Sequence, residues 1–298
     1  MKRRVAWATA ALAGAAATAA GIRYVTTLDA PVLDARGPLA AEERHLILLA
    51  AALSLFVVIP VFVLLLGFAI RYREGNRAAH YSPHMSSNWK VETAWWLGPS
   101  ALIAVLAVIA WNSTHALDPF APLASSTRPV NVQVVALDWK WLFIYPDHGV
   151  ASVNSLVIPA NTPIHFQLTA DAPMNSFWIP RLSGQIYAMP GMATQLNIQA
   201  SSAGVFDGLS ANFSGRGFSG MRFKTRVVST ADFQAWVTAA HTSAVALNVS
   251  TYRSLQRPSE DVAPADYRLA GPALFSSIIG TYNTPGRPSP SPVPEASP

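Results

Sequence analysis

The sequence predicts a chain of the membrane α plus all-β class: a two-helix transmembrane hairpin, an exported β-sandwich, and short C-terminal helices. Three observations carry this. Leu46 to Ile70 are 25 consecutive residues without a charge, and Thr93 to Trp111 are another 19. From Val130 to about Ser229, seven or eight short segments alternate apolar and polar residues between turn signals, as in a sandwich of about 100 residues. From Thr230 the texture changes to short helical pieces.

The N-terminus comes first. Met1-Lys2-Arg3-Arg4 and the Ala-rich stretch after it have the basic and weakly apolar regions of a secretory signal, with cleavage expected near Ala17 to Gly21. Residues 1–21 are therefore read as a signal peptide. Alanine is only mildly hydrophobic, which leaves an uncleaved anchor as the alternative. The hairpin occupies 22–117, with helices about 46–70 and 93–111. A helix rising about 1.5 Å per residue needs roughly 20 apolar residues to cross the hydrocarbon core. Trp95, Trp96 and Trp111 flank the second run, where amphipathic rings favour the membrane interface. The loop 71–92 holds Arg71, Arg73, Arg77 and Lys90 against Glu74 and Glu92, which places it in the cytoplasm by the positive-inside rule. The C-terminal part is then exported, in a bacterium to the periplasm.

After a Pro/Ala/Ser linker from Asp118 to Pro129, the alternating segments include Val130/Val132/Val134, Ile164/Phe166/Leu168 and Met221/Phe223/Thr225/Val227. The sandwich is assigned to 118–229. The segment 230–283 opens with a helix at Ala231 to Val237, Asp232 suiting its first turn, and has further pieces near 249–255 and 272–282. Residues 284–298 are Pro-rich and read as a disordered tail.

Charge excludes some partners. The formal charge is +5, yet from Asp118 onward 11 Lys/Arg face 10 Asp/Glu. No basic stripe for nucleic acid is visible, nor an acidic surface to steer a basic electron carrier. His80 and His84 are four apart in a Pro/Ser-rich loop, a poor zinc site, and no metal is expected anywhere in the chain.

The most specific signal runs from Asp207 to Met221, D-G-L-S-A-N-F-S-G-R-G-F-S-G-M. It has the shape of the dinuclear copper (CuA) loop of respiratory oxidases, C-x-E-x-C-x-x-x-H-x-x-M. Those positions hold Ser210, Asn212, Ser214, Phe218 and Met221. Upstream, Asp171-Ala-Pro-Met-Asn175-Ser-Phe-Trp178 places Asn175 where D-x-x-H-S-W carries the remaining histidine ligand. Thiolates and imidazoles hold such copper, and the chain contains no cysteine. With Met-Asn-Ser-Phe at 174–177, Ile-Pro-Arg-Leu at 179–182 and Gln-Ile-Tyr-Ala-Met at 185–189, the chain resembles subunit II of the haem–copper oxidases. Within it the resemblance is to the cytochrome bo-type ubiquinol oxidases, over about Asp34 to Tyr282.

That resemblance implies a cupredoxin-like Greek-key sandwich without copper, in a complex of the bacterial inner membrane. The complex would oxidise ubiquinol, reduce oxygen to water and translocate protons. Haems, copper and the quinol site are then expected in subunit I, and this chain binds no cofactor. Its expected partners are subunit I, the other subunits and membrane lipid, with no cytochrome c docking. Glu92, in N-W-K-V-E-T-A-W-W-L-G-P, resembles a glutamate at the mouth of a proton pathway. A helix-start glutamate favoured by the dipole is the plainer and compatible role. Trp139 and Trp141, in D-W-K-W-L-F-I-Y-P, resemble an electron relay in copper-bearing relatives. Without copper they are expected to pack the sandwich against the membrane subunit, with their N–H groups hydrogen-bonded. The rival reading is a stand-alone copper-free cupredoxin acting as scaffold, assembly factor or sensor.

Overall fold

The structure, a computed structural model, describes residues 20–21, 23, 30–76, 79, 87–242 and 245–283. Nearly all of the expected signal, the tail 284–298, His80 and His84 lie outside these residues.

Among the described residues, two helices are long and apolar enough to cross a membrane, α1 (Pro38–Arg71) and α2 (Trp89–Ala116). Both start earlier than the apolar runs, because caps and not hydropathy set their ends. Pro38 occupies the first turn of α1, where its missing N–H costs nothing. Asn88 caps α2, its Oδ1 accepting from Lys90 N (3.1 Å) and Val91 N (3.4 Å). At about 1.5 Å per residue, α1 outruns a hydrocarbon core of about 30 Å.

The sandwich comprises β1 (Val130–Leu137), β2 (Lys140–Tyr145), β3 (Val150–Val153), β4 (Ser155–Pro159), β5 (Pro163–Ala170), β6 (Asn175–Trp178), β7 (Ile186–Ala188), β8 (Thr194–Gln199), β9 (Gly204–Ser210) and β10 (Arg222–Val228). There are thus ten strands where seven or eight were expected; β3, β6 and β7 are only three or four residues long. The C-terminal segment adds α3 (Thr230–His241), β11 (Ala246–Leu247), α4 (Val249–Leu255), β12 (Ala265–Leu269) and α5 (Leu274–Tyr282). The three helices fall where short helical pieces were expected, and the two short strands β11 and β12 are additions to them.

One sheet runs β11-β12-β3-β2-β1-β5-β8 and the other β4-β10-β9-β6-β7. β1 lies parallel to β5 and antiparallel to β2, and β4 lies parallel to β10. Between the sheets Trp141, Phe143, Phe177 and Phe223 form the aromatic centre, Phe177 and Phe223 stacked at 5.2 Å. The larger sheet is buried on its other face too. Val135, Leu137, Leu142, Ile144 and Val153 pack there against Leu247, Tyr252, Phe275 and Ile278 of the C-terminal segment. Two-sided burial explains why β2 reads as an unbroken run, Lys-Trp-Leu-Phe-Ile-Tyr.

Both ends of the hairpin touch the sandwich. Arg36 N–H donates to the Arg181 carbonyl (2.7 Å), and the Arg36 carbonyl accepts from Ser201 N–H (2.8 Å). Asp34 pairs with Arg36 (2.9 Å) and Arg181 (3.4 Å). One turn into α1, Glu43 Oε1 accepts from Gly184 N–H (2.7 Å). Past the end of α2, the Pro119 carbonyl accepts from the backbone N–H (3.2 Å) and side-chain amide (3.1 Å) of Asn197. The Ile-Pro-Arg-Leu stretch thus forms part of the joint.

Candidate functional site

Residues 211–221 link β9 to β10 at one end of the smaller sheet. Ser210 N–H donates to the Met221 carbonyl (3.1 Å), closing the ladder beneath the loop. Inside it, Phe218–Gly220 makes one 3-10 turn, with Met221 N–H on the Phe218 carbonyl (3.0 Å). Of the loop's glycines only Gly215 takes a left-handed φ, 113°. Gly217 is needed for room, since a Cβ there would lie 2.5 Å from Trp139 Cδ2.

The six positions of the copper pattern are placed as follows. Ser210 Oγ donates to Asn175 Oδ1 (2.8 Å), and Asn175 Nδ2 donates to the Pro173 carbonyl (2.7 Å). Two positions that hold ligands in the CuA pattern are thus joined by a direct hydrogen bond. Asn212 Nδ2 turns to the Met174 carbonyl (2.9 Å). Ser210, Phe218 and Met221, with Leu209, Ser219 and Arg222, line a cleft of about 110 Å³. Met221 is buried as part of the inter-sheet core. Ser214 is held elsewhere, its carbonyl accepting from Trp139 Nε1 (3.1 Å) while its buried hydroxyl makes no hydrogen bond among the described residues.

These donors do not fit copper. Two hydroxyls, one of them committed as a donor, two amides, a phenyl ring and one thioether supply neither thiolate nor imidazole, and a lone thioether binds weakly.

The two tryptophans pack as apolar anchors, but inside the sandwich and not at its surface as expected. Trp139 and Trp141 are 2% and 0% exposed, so they pack inside the domain and not against another subunit. Trp139 is hydrogen-bonded and forms the floor of the loop. Trp141 meets Phe177 edge-on at 5.3 Å, and its indole N–H has no partner among the described residues. The geometry of the aromatic cluster outweighs that N–H, because each ring there buries a large apolar area.

Glu92 is exposed in the first turn of α2, and its Oε1 accepts from Asn88 N–H (3.0 Å). With Asn88 capping in the other direction, the pair satisfies three backbone donors of the helix start.

The family model "Cytochrome C oxidase subunit II, periplasmic domain" matches residues 148–228, and "COX Aromatic Rich Motif" matches 241–286. Cytochrome bo(3) ubiquinol oxidase subunit 2 of Pseudomonas putida is 48% identical over 271 residues, 91% of this chain and 86% of that one. Ubiquinol oxidase subunit 2 of Acetobacter aceti is 48% identical over 255 residues, 85% and 82% of the two chains. The chain belongs to the ubiquinol oxidase subunit 2 family. Among solved structures, the periplasmic domain of subunit II of cytochrome oxidase of Bradyrhizobium japonicum aligns over 39% of this chain and 96% of its own. The identity is 25% and the TM-score 0.37.

Lys140 and Asp171 stand out for the bonds they make, which the sequence did not announce. Lys140 is 1% exposed, and its Nζ donates to three carbonyls: Asp138 (2.7 Å), Leu255 (2.9 Å) and Arg257 (2.9 Å). Burial pushes its ammonium down to about 8, against the pull of the nearby Asp138. The Asp138 carboxyl is raised, chiefly by burial, with Lys140 opposing and Asp171 adding to the rise. Asp171 accepts from Tyr252 OH (2.5 Å), Gln256 Nε2 (2.6 Å) and Tyr282 OH (2.5 Å). Burial, then the Asp171 charge, holds the Tyr252 phenol far above its ordinary value. The available signal for Lys140 was one cation inside an otherwise apolar strand.

Proposed function

We propose that this chain is subunit II of a proton-translocating terminal oxidase that takes electrons from ubiquinol and passes them to oxygen, in a bacterial inner membrane. The sandwich stands on the periplasmic side and the loop 71–92 on the cytoplasmic side. Haems, copper and the quinol site belong to subunit I, which the hairpin contacts together with lipid and the remaining subunits. The observation that carries the reading is the copper-type loop, kept in register while its donor set cannot hold copper. A relay without metal has no use for cytochrome c, so quinol must deliver its electrons elsewhere in the complex. The chain alone catalyses nothing; it supports subunit I from the outer face.

Glu92 has a further role in this reading. It is an exposed carboxylate at the cytoplasmic start of a membrane helix, suited to collecting protons for a path through subunit I. Its hydrogen bond to Asn88 is compatible with that role, because one oxygen remains for solvent.

Oxygen uptake by the purified complex tests the reading with each donor in turn. Turnover on ubiquinol, with none on reduced cytochrome c, is expected. The reverse pattern would end the proposal.

A further inference from the structure

The C-terminal segment does more than cover a sheet; it reaches the loop. Arg216 Nε in the loop meets Glu260 Oε1 at 2.7 Å. A Cβ on Gly220 would lie 2.7 Å from Asp261 Oδ1, so these two stretches pass in contact. Ser259 N–H donates to the Asp138 carbonyl (3.1 Å), next to the Trp139 on which the loop rests. Asn154 bridges the same region, its Nδ2 on the Val262 carbonyl (2.8 Å) and its Oδ1 taking Trp141 N–H (2.8 Å).

The segment is itself gripped from the sandwich. Lys140 takes the carbonyls of Leu255 and Arg257, at the C-terminal end of α4, where a cation suits the helix dipole. Asp171 takes three donors, two from the α4 region and one from α5, and lies four residues before Asn175. Lys140 is buried with all three of its N–H donors used, Asp171 is half-buried with three donors on its carboxylate, and charge-assisted bonds of this kind are directional ties.

We propose that the segment 246–283, gripped by Lys140 and Asp171, holds the loop 211–221 and its Trp139 floor in shape, the part that a bound metal plays in a copper-bearing loop. Metal ligation couples loop order to folding, and a loop that has no ligands needs another tie. The inference rests on the metal-free reading of the loop.

Hydrogen–deuterium exchange on the purified complex tests it, comparing the parent with Lys140→Met and with Tyr282→Phe. In Lys140→Met, amides of 246–283 and of 211–221 should exchange faster together, by on the order of tenfold, while the β5–β8 pair keeps its protection. Tyr282→Phe removes one donor and keeps the ring, so it should show a smaller rise in the same two places. It carries the test alone if Lys140→Met fails to assemble. Faster exchange in 246–283 with the loop as protected as in the parent overturns the brace, as does no change in either segment. Copper per complex, measured for the parent and for Met221→Leu, separates the two claims. A loss of copper in that variant overturns the metal-free reading, whereas the exchange pattern alone judges the brace.

Discussion

In the hairpin Phe56 is 75% exposed and Trp96 78%, whereas Trp141, Phe143 and Phe177 of the sandwich are at 0%. Both regions are rich in apolar side chains, so composition does not separate them. Partnering does. The sandwich closes two sheets over an aromatic centre and adds a second core under the C-terminal segment, satisfying itself. The helices meet across a shallow cleft between Leu46, Leu49 and Leu53 on one and Leu106, Ile109 and Ala110 on the other, and present the rest outward. In lipid a helix satisfies its own backbone, so its outward faces are free for acyl chains and for other helices. The hairpin is thus built for docking, and the sandwich for holding a shape.

The largest effect should come from carving the sandwich core. Phe177→Ala removes a ring at the centre of four aromatic contacts and should cost about 3–5 kcal/mol, a large share of the stability a domain has. The matching change in the hairpin, Phe56→Ala, should leave the sandwich's unfolding within about 0.5 kcal/mol of the parent. Near-ultraviolet circular dichroism followed against temperature reads both. Equal losses would erase the contrast between the regions.

A smaller change probes the tie that joins two former ligand positions. Ser210→Ala removes the donor to Asn175 Oδ1 and should destabilise the domain by about 1 kcal/mol, with the fold unchanged. Denaturant unfolding of the complex, followed by the same signal, measures it; no shift would mean that the Asn175–Ser210 bond contributes nothing to the loop.

Glu92→Gln should hardly move stability, because an amide oxygen can still accept from Asn88 N–H. If the carboxylate collects protons, turnover falls several-fold with assembly and haem content normal. Unchanged turnover across pH would leave Glu92 as a cap alone.

The same contrast explains what could be read from the sequence. Uncharged runs gave the two spans directly, although caps at Gly37 and Asn88 moved their ends outward. The loop was legible because its spacing survives residue by residue from Asp207 to Met221. Lys140 was not, because two of its three partners are carbonyls 115 and 117 residues away, and a carbonyl has no signature in sequence. β11 and β12 escaped for a related reason: strands of two and five residues owe their existence to the sheet edge they join. Trp141 was expected to use its N–H, but a ring meeting Phe177 and Phe223 edge-on leaves no room for a polar partner to be inferred from sequence.

The central claim is a copper-type loop held in register without copper, and restoring the ligands tests it most directly. Asn175→His, Ser210→Cys, Ser214→Cys and Phe218→His, introduced together in the complex, put two thiolates and two imidazoles around Met221. The Asn212 backbone carbonyl remains, and the glutamate side chain of the copper pattern stays absent. Copper per complex and the visible spectrum are then measured for parent and variant. The account predicts that the variant gains two coppers and an intense thiolate-to-copper absorption absent from the parent. A folded variant that gains none, or a parent that already carries that copper, would contradict it.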